Sequence, residues 1–211
     1  MPKPADALII ANGPLPPRRR ILPWIRTGTL IVCADGGANR ARVRGITPDV
    51  ILGDLDSLSP EGATASPKAR LLRITDQAKT DLEKALDFVL QQGIRRAVVI
   101  GATGRRPDHE LANFSLLARY HTRLELMFLD TWCRILIVDA QLSLSLRPGT
   151  IVSLLPLGPC AGVVTRGLAW PLRGEPLAPG VRESISNRVV ASPVEIELTA
   201  GKLLVFIVDR V

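Results

Sequence analysis

Two aspartates one residue apart, Asp54 and Asp56 in Gly53-Asp54-Leu55-Asp56-Ser57, directly follow the apolar run Val50-Ile51-Leu52. In an extended segment, residues i and i+2 point the same way, so both carboxylates would face one side. Two such carboxylates repel unless a cation lies between them. A magnesium ion bound together with substrate phosphates suits that pair. A third carboxylate and an ammonium stand in Asp76-Gln77-Ala78-Lys79-Thr80-Asp81-Leu82-Glu83-Lys84, where Asp81 falls in a first helical turn and Lys84 three residues on. Thr80 and Glu83 carry a capping-box pattern, which accounts for their types without a ligand.

Two more clusters follow apolar runs. Cys33-Ala34-Asp35-Gly36-Gly37-Ala38-Asn39-Arg40 and Gly101-Ala102-Thr103-Gly104-Arg105-Arg106-Pro107-Asp108-His109, continuing to Asn113, each lead from a strand pattern into a helix pattern. Glycines allow close backbone approach, and helix N-termini favour phosphate. Arginine offers a planar fork for phosphate oxygens. His109 and Asn113, four apart, share a helix face. Neither GxxxxGK[ST] nor GxGxxG nor GxSxG occurs. Carboxylates, glycine loops and cations at successive strand ends point to magnesium-assisted phosphoryl or pyrophosphoryl transfer from a nucleotide.

Alternating elements must position these clusters. Ala7–Ala11, Leu30–Cys33, Val50–Leu52, Leu71–Ile74 and Ala97–Ile100 read as short buried strands. Asp81–Gln92 reads as a helix with Leu82, Ala85, Leu86 and Val89 on one stripe, ended by Gly93. Pro107–Tyr120 reads as another, with Leu111, Phe114, Leu117 and Ala118 as its apolar face. That alternation predicts an α/β domain with a mainly parallel sheet and flanking helices. Beyond about residue 121 the pattern changes. Arg134–Val138, Leu142–Leu146, Ile151–Leu155, Val194–Leu198 and Leu203–Val208 read as strands between Pro/Gly turns, which predicts an antiparallel β-sandwich or barrel. The expected domains are residues 1–125 and 126–211.

The composition of the 211 residues limits the function classes. Charged residues at 22% and hydrophobic ones at 46% describe a globular chain. The net charge is +7, with 18 basic and 12 acidic residues up to residue 122, and 9 and 8 beyond it. Such a balance favours a polyanionic partner. With aromatics at 4% and no base-stacking motif, the phosphate of a small molecule is preferred over nucleic acid; Arg18-Arg19-Arg20 reads as a solvated loop. No apolar run is long enough to span a membrane, and Met1-Pro2-Lys3-Pro4 does not begin a secretory leader. Cys33, Cys133 and Cys160 form no CxxC, and two histidines make a zinc site a poor expectation, so a cytoplasmic location and a carboxylate-held metal are expected.

Together the four clusters strongly resemble thiamine pyrophosphokinases in order and spacing. Gly167-Leu168-Ala169-Trp170-Pro171-Leu172 and Ser184-Ile185-Ser186-Asn187 extend the resemblance into the second half. It implies a homodimer of two-domain subunits, with an α/β domain for ATP and magnesium and a β-sandwich for thiamine near the dimer interface. By that resemblance, Asp35, Asp54, Asp56 and Asp81 are catalytic, with Asp54, Asp56 and Asp81 holding the metal. Gln77, Thr80, Lys84, Thr103, Arg106, Asp108, His109 and Asn113 would bind the nucleotide. Trp170 resembles an aromatic that packs on thiamine, with a sandwich-core role as its competitor, and Ser184, Ser186 and Asn187 resemble the polar part of that pocket. The implied reaction moves a pyrophosphoryl group from ATP to the thiamine hydroxyl. A hydroxymethyl-pterin diphosphokinase and a basic nucleic-acid-binding protein are the alternatives. Where the family pattern reads Gly-Gly-Arg-Leu-Asp-His, this chain has Arg105 and Pro107. Arg105 would be strained if that glycine serves a left-handed backbone; if the glycine only gives clearance, Arg105 can point outward or add a phosphate contact.

Overall fold

A computed structural model describes residues 4–64 and 66–209; the Met1–Lys3 part of the leader reading lies outside them. The chain forms two compact units, divided between Thr131 and Trp132. The first holds strands β1 (Ala7–Ile10), β2 (Leu30–Ala34), β3 (Val50–Gly53), β4 (Arg70–Arg73), β5 (Arg96–Ile100) and β6 (Glu125–Leu129). Its helices are α1 (Arg18–Ile21), α2 (Gly37–Val43), α3 (Pro60–Thr64), α4 (Asp81–Gln91) and α5 (Pro107–Tyr120). The second unit holds β7 (Cys133–Val138), β8 (Gln141–Leu144), β9 (Ile151–Pro156), β10 (Cys160–Arg166), β11 (Arg173–Leu177), β12 (Ser184–Arg188), β13 (Val194–Glu197) and β14 (Leu203–Val208).

All strand pairs of the first unit are parallel, in the order β6-β5-β1-β2-β3-β4. β1, β3 and the last four residues of β5 are wholly buried, as continuous apolar strands in a two-sided α/β core are. The chain runs outward from β1 through β2, β3 and β4, then returns to β1's other side with β5. The strand order therefore reverses at β1, and crevices form at the carboxyl ends beside such a reversal. β6 pairs with β5 from Arg96–Glu125 to Ile100–Leu129, so residues 125–129 belong to this parallel sheet.

Helix α4 buries Leu82, Ala85, Leu86 and Val89, the stripe its period predicts. Thr80 caps it by accepting the Glu83 N–H at 3.3 Å. The reciprocal half of a capping box is missing, because the Glu83 carboxylate pairs with Arg119 at 2.8 Å. α5 turns inward a face that overlaps only in part with the one its sequence predicts, keeping Leu117 but not Leu111. Leu116, Leu117 and Tyr120 are buried, whereas Leu111 is 68% exposed. Tyr120 decides that rotation: its hydroxyl donates to Asp87 Oδ1 at 2.7 Å, and Lys79 Nζ reaches Asp87 Oδ2 at 2.7 Å. Burial alone would raise the Asp87 carboxyl, but those two hydrogen bonds outweigh it and hold it below its usual range. A carboxylate lowered in the folded state stabilises above its unfolded pKa, and that contribution is lost as pH falls through the folded value. Asp87→Asn is therefore expected to cost about 2 kcal/mol at neutral pH. In urea titrations the gap from wild type should close as the pH falls below the usual carboxylate range; a pH-independent gap would contradict the assignment.

Arg18–Arg20 form a one-turn helix anchored by buried Ile21, not the loop read from their charge. The Arg20 guanidinium donates to the Thr131 carbonyl.

The second unit is antiparallel throughout. One sheet has the order β12-β9-β14-β7 and the other β11-β10-β13-β8. Val152, Leu154, Leu203, Val205 and Ile207 of the first share one core with Val163, Leu177, Val194 and Ile196 of the second, so the unit is a sandwich.

Candidate active site

The first unit carries a cavity of about 370 Å³ at the carboxyl ends of β1, β2 and β5, where the strand order reverses. Ala11, Asn12 and Gly13 line it after β1, Ala34 and Asp35 after β2, and Gly101, Ala102 and Thr103 after β5. Ser57, the start of α4 and the start of α5 close the remaining sides. Gly13 lets two loops knit together: its N–H donates to the Gly101 carbonyl at 2.8 Å, and a Cβ there would lie 2.5 Å from that oxygen.

Asp35, Asp54 and Asp81 offer carboxylate oxygens that all lie within 4.8 Å of one another. Among the described residues this is the His/Cys/Asp/Glu group able to hold a metal ion. The fit is supported by two further facts. Asp35 Oδ1 is buried with no hydrogen-bond partner. A Cβ on Gly53 would sit 2.9 Å from the Asp35 Cβ and 3.0 Å from Asp81 Oδ1, so only glycine leaves room for the carboxylates to converge. Burial raises the Asp35 carboxyl, the Ser57 side chain and Gly36 N–H oppose that rise, and the Asp81 and Asp56 charges add to it. A cation would relieve both the desolvation and the repulsion.

Asp56 is not in this group. The reading that set it beside Asp54 assumed an extended segment, but Leu55 between them has φ +67°. The turn swings Asp56 to an exposed position, where it accepts from Ser57 Oγ at 3.0 Å, and its own N–H approaches Asp54 Oδ1 at 3.3 Å. Asn39 of α2 pins this loop: its Nδ2 donates to the Ser57 carbonyl at 2.8 Å and its Oδ1 accepts from Ser59. Among the described non-glycine residues, positive φ occurs at Asp35, Leu55 and Ser186. Such strain collects at functional sites.

Lys84 is buried and pairs with Asp81 at 2.9 Å, so its ammonium holds that carboxylate in place. Thr80, Thr103, Arg106, His109 and Asn113 line the cavity; Gln77 and Asp108, both exposed, do not. Several of these groups already have partners. Asn113 Nδ2 donates to the Ala102 carbonyl at 2.7 Å, Thr103 Oγ1 donates to Asp130, and Arg106 binds Asp108 through Nε and Nη2 at 3.1 and 2.6 Å. Arg106 holds the exposed Asp108 carboxyl down at about 2. The left-handed turn before Arg106 falls on Gly104, φ +80°, so Arg105 occupies ordinary backbone. Asn12, Gly13, Ser57 and Glu110 were not among the residues chosen from sequence, whereas Arg105 was read as pointing outward or adding a phosphate contact. The Ala11-Asn12-Gly13 turn at the end of β1 was the available signal, but it carries no charge.

A second cavity, about 270 Å³, lies in the sandwich unit between Trp170–Leu172 and Arg182–Ile185 with Asn187. Trp170 is 65% exposed, which removes the core reading of that residue. Buried Asn187 clamps its backbone, donating from Nδ2 to the Trp170 carbonyl at 2.6 Å and accepting the Trp170 N–H at 3.1 Å. Ser184 lines this cavity; Ser186 does not, and its N–H donates to Ser153 Oγ at 2.9 Å.

Both halves match known families. The model described as thiamin pyrophosphokinase, catalytic domain, matches residues 24–128, and that described as thiamin pyrophosphokinase, vitamin B1 binding domain, matches residues 139–203. Thiamine pyrophosphokinase 1 of Oryza sativa subsp. japonica is 32% identical over 92% of this chain and 86% of its own length. The chain belongs to the thiamin pyrophosphokinase family. The fold agrees: the thiamin pyrophosphokinase of Geobacillus thermodenitrificans superposes with a TM-score of 0.84 at 26% identity, over 97% of each chain. That of Bacillus subtilis gives 0.85 at 24% identity, over 97% of this chain and 99% of the other. As in this family of enzymes, a parallel α/β unit precedes an antiparallel one.

Proposed function

We propose that this enzyme transfers a pyrophosphoryl group from ATP to the hydroxyl of thiamine, releasing AMP. The observation that carries the reading is the Asp35, Asp54 and Asp81 group, two of whose members, Asp35 and Asp81, line the cavity at the strand ends, in a chain of this family. Asp35, Asp54 and Asp81 are the proposed magnesium ligands, and the ion supplies charge neutralisation on the ATP phosphates. Thr103, Arg106 and His109 surround the nucleotide, with Lys84 orienting Asp81; Gln77 and Asp108 are assigned to the rim. The thiamine hydroxyl oxygen bonds to the β-phosphorus as the bond from that phosphorus to the α–β bridging oxygen breaks. The hydroxyl proton passes to a carboxylate outside the metal group, for which exposed Asp56 is our candidate. Purified protein given ATP, magnesium and thiamine should yield AMP and thiamine pyrophosphate in equal amounts. Formation of ADP, or turnover only with a hydroxymethyl-pterin, would overturn the reading.

Thiamine is assigned to the Trp170 cavity, where an exposed indole can stack on a thiazolium cation. Trp170→Ala should raise the thiamine KM roughly tenfold with the ATP KM unchanged. Asn187→Ala should do the same by freeing the Trp170 backbone while leaving the indole intact. A thiamine KM insensitive to both would place the acceptor elsewhere.

A homodimer is proposed as the working form, tested by a light-scattering mass of twice 22.8 kDa. We also place the enzyme in the cytoplasm, a reading supported by the burial of all three cysteines. Among the described residues no helix is long and apolar enough to cross a membrane.

A further inference from the structure

We propose that Arg105 is an additional phosphate ligand of the nucleotide, stored on a backbone carbonyl until the phosphates arrive. The proposal rests on the nucleotide reading of the larger cavity and goes beyond it by deciding between the two roles open to Arg105 and naming its resting partner.

The charged groups lining that cavity differ in how they are engaged. Asp81 is paired with Lys84, and Arg106 is held by Asp108 through two hydrogen bonds. Glu110 accepts the Gly104 N–H at 3.0 Å. Arg105 is exposed and lines the cavity, and its guanidinium donates from Nη1 to the Asn12 carbonyl at 3.2 Å. Its partner is thus neutral, and most of its five N–H donors remain available. A phosphate oxygen is a stronger acceptor for guanidinium than a neutral carbonyl, and the planar fork can engage two such oxygens.

Leaving Asn12 is not costly for the loop. Arg40 Nε also donates to the Asn12 carbonyl at 3.2 Å, so that oxygen keeps a donor when Arg105 departs. The backbone around Arg105 suits the task as well. The left-handed turn is taken by Gly104, and a Cβ on Gly104 would meet Pro14 at 3.2 Å, so the two loops that bracket the cavity touch just beside Arg105. Asn12 also lines the cavity, so the stored guanidinium rests on the cavity wall.

The test is calorimetric binding of magnesium tripolyphosphate, and separately of adenosine, to wild type, Arg105→Ala and Arg105→Lys. Arg105→Ala should weaken tripolyphosphate about tenfold and leave adenosine unchanged. Arg105→Lys should fall between, since it keeps the charge and loses the fork. In steady-state assays the ATP KM should rise while kcat holds. Unchanged tripolyphosphate affinity in Arg105→Ala, with wild type binding normally, overturns the role of Arg105 alone. Equal weakening of both probes makes Arg105 a structural latch and also overturns it. If wild type binds neither tripolyphosphate nor ATP, the nucleotide reading fails and the proposal with it.

Discussion

Asp54→Asn is expected to lower magnesium-dependent turnover by about 10³-fold or more while leaving the melting temperature at or above that of wild type. Asp54 belongs to a group of three carboxylates within 4.8 Å, and removing one charge relieves repulsion in the ion-free protein. The Asn oxygen can still accept the Asp56 N–H, so the loop is preserved. Asp81→Asn separates this effect from a structural one. It removes the same kind of ligand, but it also strips buried Lys84 of the carboxylate that neutralises it. Breaking a buried pair from one side costs about 3–5 kcal/mol. Asp81→Asn should therefore lose both activity and stability, and Asp54→Asn activity alone. Steady-state kinetics across magnesium concentrations, with thermal melts of both variants, give the comparison. Retained activity in Asp54→Asn would remove it from the catalytic set.

The second large effect belongs to a glycine that carries no charge and takes no left-handed backbone. Gly37 opens α2, and a Cβ there would lie 2.0 Å from the Ile10 carbonyl oxygen and 2.8 Å from its carbon. Both atoms are β1 backbone and cannot rotate away. Alanine in a helix is ordinarily worth about 1 kcal/mol over glycine. The clash wins, because helix and strand must separate against the buried core. Gly37→Ala is expected to cost about 3 kcal/mol, or roughly 6–12 °C in melting temperature. Gly36→Ala is the informative neighbour. Its Cβ would meet Asn12 Nδ2 at 2.3 Å, and a side chain can swing aside. Gly36→Ala should keep most stability and disturb the cavity mouth instead. Equal melting temperatures for the two variants would refute this account.

The paired glycines were read as letting backbone approach a ligand; the packing of Gly37 against the β1 backbone was not legible. The same division runs through the site. Asp54 and Asp81 were readable because each is placed by local pattern, one just beyond an apolar strand and one in a capped first turn. The Asp54–Asp56 pairing was misread because it depended on the φ of Leu55, a residue type that gives no warning of left-handed backbone. Asp35 was expected among the catalytic residues but not in the metal group; its convergence on Asp54 and Asp81 depends on three separate strand and helix ends.

The strands divide likewise. The apolar strands β1, β2, β3, β5 and β14 were visible as runs, whereas β10, β11 and β12 were not. β10 contains Gly162 at φ +61° and shifts register against β11, β11 contains Gly174 and Pro176, and β12 is Ser-Ile-Ser-Asn-Arg. Such segments become strands because neighbours pair with them, not from a pattern of their own. On α5, Leu111 looked like a core residue and lies in solvent, because Tyr120 and its Asp87 partner set the helix rotation.

By itself, then, the amino-acid order determined the two-part architecture, the phosphate-directed chemistry and the carboxylates at strand ends, since these follow from periodicity and residue type within a few positions. Tertiary structure alone decided which three carboxylates meet, that Asn12 and Arg105 bracket the cavity from positions 93 residues apart, and that Asn187 presents an exposed Trp170. Those arrangements depend on the meeting of elements distant in sequence, and on single backbone angles that no local pattern encodes.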